Sequence, residues 1–279
     1  MWNQIKTVLL LGSLSGIVLA AGYFFGGQMG LTIALVLAVG MNFGMFFFSH
    51  KMVLAMYKAK PASKSEYPKL YKFVHEIAQE MKLPMPKIFI VPTQTPNAFA
   101  TGPSPKKAVV ACTQGILELL DDRELKGVLA HEMAHIQNRD MLVMTVASTL
   151  AAVISYLANF AQFAAIFGGS RDRDSGNMLA VLALAILTPI IAMILQLAIS
   201  RSREFLADEK GAKAVKDSEG LASALLKLEA GCKARPLRGN STTSSLFIVN
   251  PFTVTGLQAF FSTHPRTNDR VVKLRAMKF

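Results

Sequence analysis

His131-Glu132-Met133-Ala134-His135 sets two imidazoles four residues apart with a carboxylate beside them. On a helix, positions i and i+4 lie on one face, one turn apart, so both rings reach a single metal ion at about 2.0–2.1 Å. Glu132 projects next to them, where it can take a proton from an attacking water. This is the H-E-x-x-H pattern, and its chemistry is metal-assisted hydrolysis. The alternative is a polar helix face with two ordinary histidines. It leaves unexplained why two of only five histidines flank a glutamate. A catalytic zinc takes three protein ligands and leaves a fourth position open. The charge-free stretch to Ser200 offers no carboxylate outside a short charged loop, and directly after it come Glu204 and Asp208, again i and i+4 on one face. Glu204 is the expected third ligand, with one zinc ion per chain. Asp208 is placed to hydrogen-bond a ligand imidazole from behind. A solvated acidic pair on a surface helix is the competing reading of those two acids.

These residues need elements to hold them. Asp121-Asp122-Arg123-Glu124 opens a helix, because an aspartate caps it and acids suit its positive end. Leu125, Val128, Leu129, Met133 and Ile136 continue it at helical spacing. Residues 86–111 read as short strands with turns: 87–91, 97–101 and 108–112, the last after the turn Gly102-Pro103-Ser104-Pro105. An exposed strand edge binds an extended peptide by adding it to the sheet. Asn97, Ala98, Phe99 and Ala100 are the candidate substrate-binding edge, against the alternative of a plain structural hairpin.

Around this chemistry the chain is unusually apolar. Of 279 residues, 52% are hydrophobic and only 17% charged, below the roughly 25% of ordinary soluble domains. Four stretches carry no charge: 7–25, 30–49, 141–170 and 177–200. Each approaches or exceeds the about 20 residues that a bilayer core needs. A cleaved signal peptide competes for the first, but a second apolar stretch follows after four residues. For the later pair, alanine-rich helices buried in a soluble domain compete, so full crossing is left open. The net charge is +12, and the high apolar content assigns it to a membrane's cytoplasmic side rather than to nucleic acid. Lys51, Lys58, Lys60 and Lys64 follow the second stretch, and Arg201 and Arg203 follow the fourth. The positive-inside rule puts both segments in the cytoplasm. The two ligand-bearing segments are separated by an even number of apolar stretches, so they close on one side of the bilayer. Cys112 and Cys232 lack metal or redox spacing and read as free thiols.

His-Glu-Met-Ala-His followed by Asn138-Arg139-Asp140, then Ser202-Arg203-Glu204-Phe205-x-Ala207-Asp208, resembles the HtpX family of membrane zinc metalloproteases, related to the CAAX prenyl endopeptidases. The likeness extends to 97–102 and to Thr263-His264-Pro265-x-x-x-x-Arg270 near the C-terminus. It implies zinc, Glu204 as third ligand, and a bacterial inner-membrane protein that degrades misfolded or damaged membrane proteins at cytoplasmic sites. Its partners would be membrane lipid and those substrates.

The expected fold is a mainly α membrane protein with a zincin-type α+β catalytic domain, a small β-sheet and four apolar membrane-associated helices. Residues 1–50 form a transmembrane hairpin, 51–140 and 201–279 the two parts of the catalytic domain, and 141–200 a second apolar hairpin. Glu132 is the expected general base, His264 a candidate oxyanion stabiliser, and Arg270 a candidate for orienting the site. An intramembrane metalloprotease would place its motif within a span, whereas this one lies between Arg123 and Arg139. A non-catalytic metal-binding or metal-transporting membrane protein is the rival of another class. Structural zinc normally takes four protein ligands, and transport needs polar groups inside the spans.

Overall fold

The computed structural model describes residues 2–143, 146, 201–234, 248 and 265–279. The expected apolar stretches 141–170 and 177–200, and His264, lie almost entirely outside the described residues. The chain opens with helix α1, Trp2–Met56, broken at Gly27, whose φ of 55° and ψ of −140° only glycine adopts readily. Asn42 Nδ2 donates to Ser15 Oγ at 2.7 Å across that break. Twelve residues on one side and fifteen on the other therefore meet, and the two arms form a hairpin. The second arm carries a stretch long and apolar enough to cross a membrane, Gly26–Gly44, four residues earlier than expected. It is the one such stretch among the described residues, so four spans are not established. Its side chains point outward: Val36 is 69% exposed and Val39 62%. Water does not favour a ladder of exposed Ile, Leu, Val and Phe on one helix.

Beyond the hairpin lie β1 (Lys60–Pro61), α2 (Pro68–Glu80), β2 (Lys87–Val91), β3 (Ala98–Thr101), β4 (Val109–Thr113), α3 (Gln114–Leu119) and α4 (Asp122–Asn138). After the undescribed stretch come α5 (Arg201–Val215), α6 (Glu219–Ala234) and α7 (Thr267–Arg275). Proline at the first position of α2 costs no hydrogen bond, and Leu70, Val74, Ile77 and Ala78 form its buried stripe. The four strands order β1-β2-β4-β3. β2 and β4 are parallel, with Ile88 opposite Val110, whereas β1 and β3 run antiparallel to their neighbours. The three strands read from sequence are present, each within a residue or so of its expected bounds. What the pattern did not carry is the pairing: β4 inserts between β2 and β3. Gly102, at φ 135°, begins the β3–β4 connection, where a Cβ would stand 2.5 Å from the Lys107 carbonyl.

α4 is the central helix. Asp121 caps it by accepting from the Glu124 N–H at 2.9 Å, and the Glu124 carboxylate accepts from the Asp121 N–H at 3.1 Å. This reciprocal capping box fixes the start that the acid run predicted. From Val128 to Ile136 every residue is buried. The apolar spacing predicted one buried face, but α2, α5, α6 and β3 all pack on α4 and enclose it from every side. Leu129, Met133 and Ile136 are almost wholly out of water, each contributing about 1.5–3 kcal/mol by burial.

Candidate metal centre

Three polar groups sit inside that core. His131 and His135 come from α4 and Glu204 from the first turn of α5, and all three are at most 3% exposed. Their ligating atoms lie within 4.8 Å of one another, making a group able to hold a metal ion. The His135 and His131 Nε2 atoms are 3.2 Å apart. His135 Nε2 lies 3.5 Å from Glu204 Oε1, and His131 Nε2 lies 3.7 Å from Glu204 Oε2. Bonds of about 2.0–2.1 Å at tetrahedral angles put ligand atoms roughly 3.3 Å apart. The donor set and its spacing therefore fit a small tetrahedral cation.

The far side of each imidazole is held by an acid. Asp208 Oδ1 is 2.9 Å from His131 Nδ1, and Asp140 Oδ2 is 3.1 Å from His135 Nδ1. A carboxylate accepting from Nδ1–H fixes the tautomer and leaves Nε2 free to ligate. Asp208 was expected from its i+4 spacing to Glu204. Asp140 was not assigned a role. Its signal was an acid just past the helix end, where Arg139 turns the chain through φ 59° and the Asp140 N–H returns to the His135 carbonyl at 3.0 Å.

Arg270 reaches the centre from α7. Its Nε donates to Asp208 Oδ2 at 2.8 Å, its Nη2 to Asp208 Oδ1 at 2.6 Å, and its Nη1 to the Ile248 carbonyl at 2.9 Å. Nη1 also lies 3.8 Å from Glu204 Oε2. The guanidinium is 2% exposed, so two of its neighbours in the core are carboxylates that neutralise it. Arg270 thus orients Asp208, which orients His131.

Electrostatics separate the two imidazoles. Burial pushes His131 below its usual value, outweighing Asp208, and the Arg270 cation pushes the same way. Burial also opposes charge on His135, but the Asp140 hydrogen bond and the Glu204 and Glu132 carboxylates lift it to about 9. Burial raises Glu132 to about 7, helped by Glu204 and opposed by His135. A buried carboxyl near neutrality is poised for proton transfer. Asp208 is held down at about 2, because the Arg270 cation and its hydrogen bonds outweigh burial.

Glu132 Oε2 accepts from the Ala100 N–H at 2.9 Å. β3 is the edge of the described sheet, but it is not exposed: Ala98, Phe99, Ala100 and Thr101 are 0–6% accessible. The expectation of an open edge is corrected in that respect, because α4 lies against the strand. Asn97 turns inward, with its N–H on Thr113 Oγ1 at 2.9 Å and its Oδ1 accepting from Ile248 N–H at 3.2 Å. Both cysteines are buried free thiols, raised by burial to about 12 at Cys112 and about 11 at Cys232, and so unreactive.

Comparison with known proteins agrees with this geometry. The model of "Peptidase family M48" matches residues 64–278. "Protease HtpX homolog" of Thermodesulfovibrio yellowstonii is 49% identical over 277 residues, covering 99% of this chain and 98% of that one. The protein of the same name from Pyrococcus furiosus is 48% identical over 273 residues, covering 97% and 94%. That from Syntrophobacter fumaroxidans is 47% identical over 282 residues, covering 99% and 100%. The crystal structure of S. mikatae Ste24p shares the fold, with a TM-score of 0.54 at 20% identity. The alignment covers 98% of this chain and 65% of that one. Fold, site and relatives define a metalloprotease. The chain belongs to peptidase family M48.

Proposed function

We propose that the chain is a membrane-integrated zinc endopeptidase that cleaves misfolded or damaged membrane proteins on the cytoplasmic side of a bacterial inner membrane. The observation that carries the chemistry is the His131–His135–Glu204 cluster, with an acid behind each imidazole and Glu132 beside it. Two imidazoles and one carboxylate, leaving a fourth position open, are the donor set of catalytic rather than structural zinc. Bound there, zinc would supply Lewis-acid polarisation of the scissile carbonyl and activation of the hydrolytic water. The remaining work belongs to the protein. Glu132, anchored by the Ala100 N–H, accepts the water proton and delivers it to the leaving amine. Asp208, Asp140 and Arg270 hold the ligands in register. Residues 97–100, the edge strand whose Ala100 N–H meets Glu132, are the proposed substrate-binding segment, although they are buried in this structure. His264 is assigned from sequence alone as donor to the developing oxyanion.

The membrane setting rests on the α1 hairpin, its outward apolar side chains and the lysines that follow it. Residues 1–50 are its membrane hairpin, and 51–140 and 201–279 contribute the catalytic domain; the second apolar segment expected from the sequence, 141–200, lies almost entirely outside the described residues. The test is cleavage of casein by the purified full-length chain and its Glu132→Gln variant. The variant keeps its metal and loses turnover. Equal cleavage by both proteins sinks the peptidase mechanism. His264→Phe lowers turnover with zinc retained; unchanged turnover removes His264 from it.

A further inference from the structure

α4 and α5 meet more closely than helices with ordinary side chains do, and the contact lies directly behind the metal centre. Glu204, Asp208 and Gly211 occupy successive turns of one α5 face. Two of them hold the centre from the front, as ligand and as the acid behind His131. The third has no side chain, and its Cα stands against the backbone of α4. A Cβ on Gly211 would lie 2.8 Å from the His131 N, 3.0 Å from the Ala130 carbonyl carbon and 3.0 Å from the His131 Cα. All three are backbone atoms of the ligand helix itself, so no rotamer change relieves the overlap. Glycine is a poor residue for a helix interior, and here a close approach requires it.

We infer that Gly211 is the positioning residue that sets the distance between the two ligand-bearing helices, and thereby the fit of the centre to a small tetrahedral cation. This rests on the zinc reading above. Relieving the overlap to ordinary van der Waals contact moves α5 away from α4 by about 0.6 Å or more. Metal sites hold ligand distances within about 0.2 Å. The shift acts on Glu204 and on Asp208 together, because both ride on the same helix.

A control is built into the fold. Gly127, one turn before His131, makes an equally close approach on another side of α4, where a Cβ would lie 2.8 Å from the Leu221 N of α6. α6 carries no ligand. The experiment is zinc affinity by chelator competition on the full-length chain, with cadmium as a larger ion, beside thermal melting of the same samples. Gly211→Ala weakens zinc at least about 10-fold, the loss typical of disturbing a ligand's support. It also shifts the cadmium-to-zinc preference toward cadmium. Gly127→Ala lowers the melting temperature comparably but leaves zinc affinity within about 3-fold of wild type. Zinc affinity unchanged in Gly211→Ala, or lost equally in both variants with the ion preference fixed, overturns the inference. Should Gly211→Ala not fold, Ala207→Ser, a smaller intrusion on the same buried face, shows the same direction of ion preference; no shift there counts equally against it. Failure of the zinc reading is separately visible, as wild type that takes up no metal or Glu204→Gln that binds it undiminished.

Discussion

Each imidazole of the centre has its own acid behind it. Asp208 is itself pinned by a bidentate arginine, whereas Asp140 is held by a helix-end turn. Removing either acid frees a ring to rotate. Asp140→Asn and Asp208→Asn each lower metal affinity about 10- to 100-fold, measured by chelator competition. The pH response of the metal-free protein follows from His135. Its folded value, about 9, lies above the ordinary 6.5. Its contribution to stability is therefore fully present below pH 6.5 and disappears as pH rises through 9. Glu132, raised to about 7, falls in the same direction over its own lower range. Metal binding displaces the His135 proton, so metal affinity climbs over that same interval. Melting temperature of chelator-treated protein should drop between pH 6.5 and 9, while that of zinc-loaded protein should not. A metal-free curve that rises over this interval contradicts the charge assignment.

At the scale of elements, α4 owes its start to Asp121 and Glu124, and Glu124 does more than cap. It accepts from Ser223 Oγ at 2.6 Å and from Lys227 Nζ at 2.7 Å, tying the first turn of α4 to α6. Burial opposes its ionisation, yet the Lys227 and Ser223 bonds hold its value below the ordinary 4.5. That contribution is present above pH 4.5 and is lost as pH falls through the depressed folded value. Glu124→Ala costs about 2–4 kcal/mol near neutrality, and the gap from wild type narrows below pH 4.5 in acid melts. The aspartate cap and helix period of α4 were legible in the sequence, as were β2, β3 and β4, because caps and apolar periodicity are local signals. The order β1-β2-β4-β3 was not, since pairing depends on tertiary contacts. Burial of α4 on all sides was hidden for the same reason: His131, Glu132 and His135 break its apolar pattern at the places where the site needs charge. Asp208 could be read from spacing along one helix. Asp140 could not, because a left-handed residue at Arg139 places it and no side-chain pattern announces that turn.

Over the whole molecule, two opposed surfaces share one chain. The α1 hairpin exposes Ile33, Leu35, Val36, Leu37, Val39 and Phe43, each more than half accessible, while the helices behind it bury a charged catalytic centre. A bilayer removes that contradiction. Membranes washed with alkaline carbonate should retain the full-length chain, whereas Val36→Lys combined with Val39→Lys should release a large fraction, at about 2.5–3.5 kcal/mol per charge in the core. Wild type released by the wash contradicts the span. The apolar stretches and the lysines after them carry this division in the sequence, and the Gly27 break and the Ser15–Asn42 contact are what fold α1 into the expected hairpin.

All of these scales converge on one ion and three side chains. Zinc-edge X-ray absorption on the purified full-length protein tests that convergence most directly. The account predicts one zinc per chain, bound by two imidazole nitrogens and carboxylate oxygen at about 2.0–2.2 Å, with the nitrogen signal halved in His135→Ala. Absence of zinc, or a sulfur shell near about 2.3 Å, contradicts it.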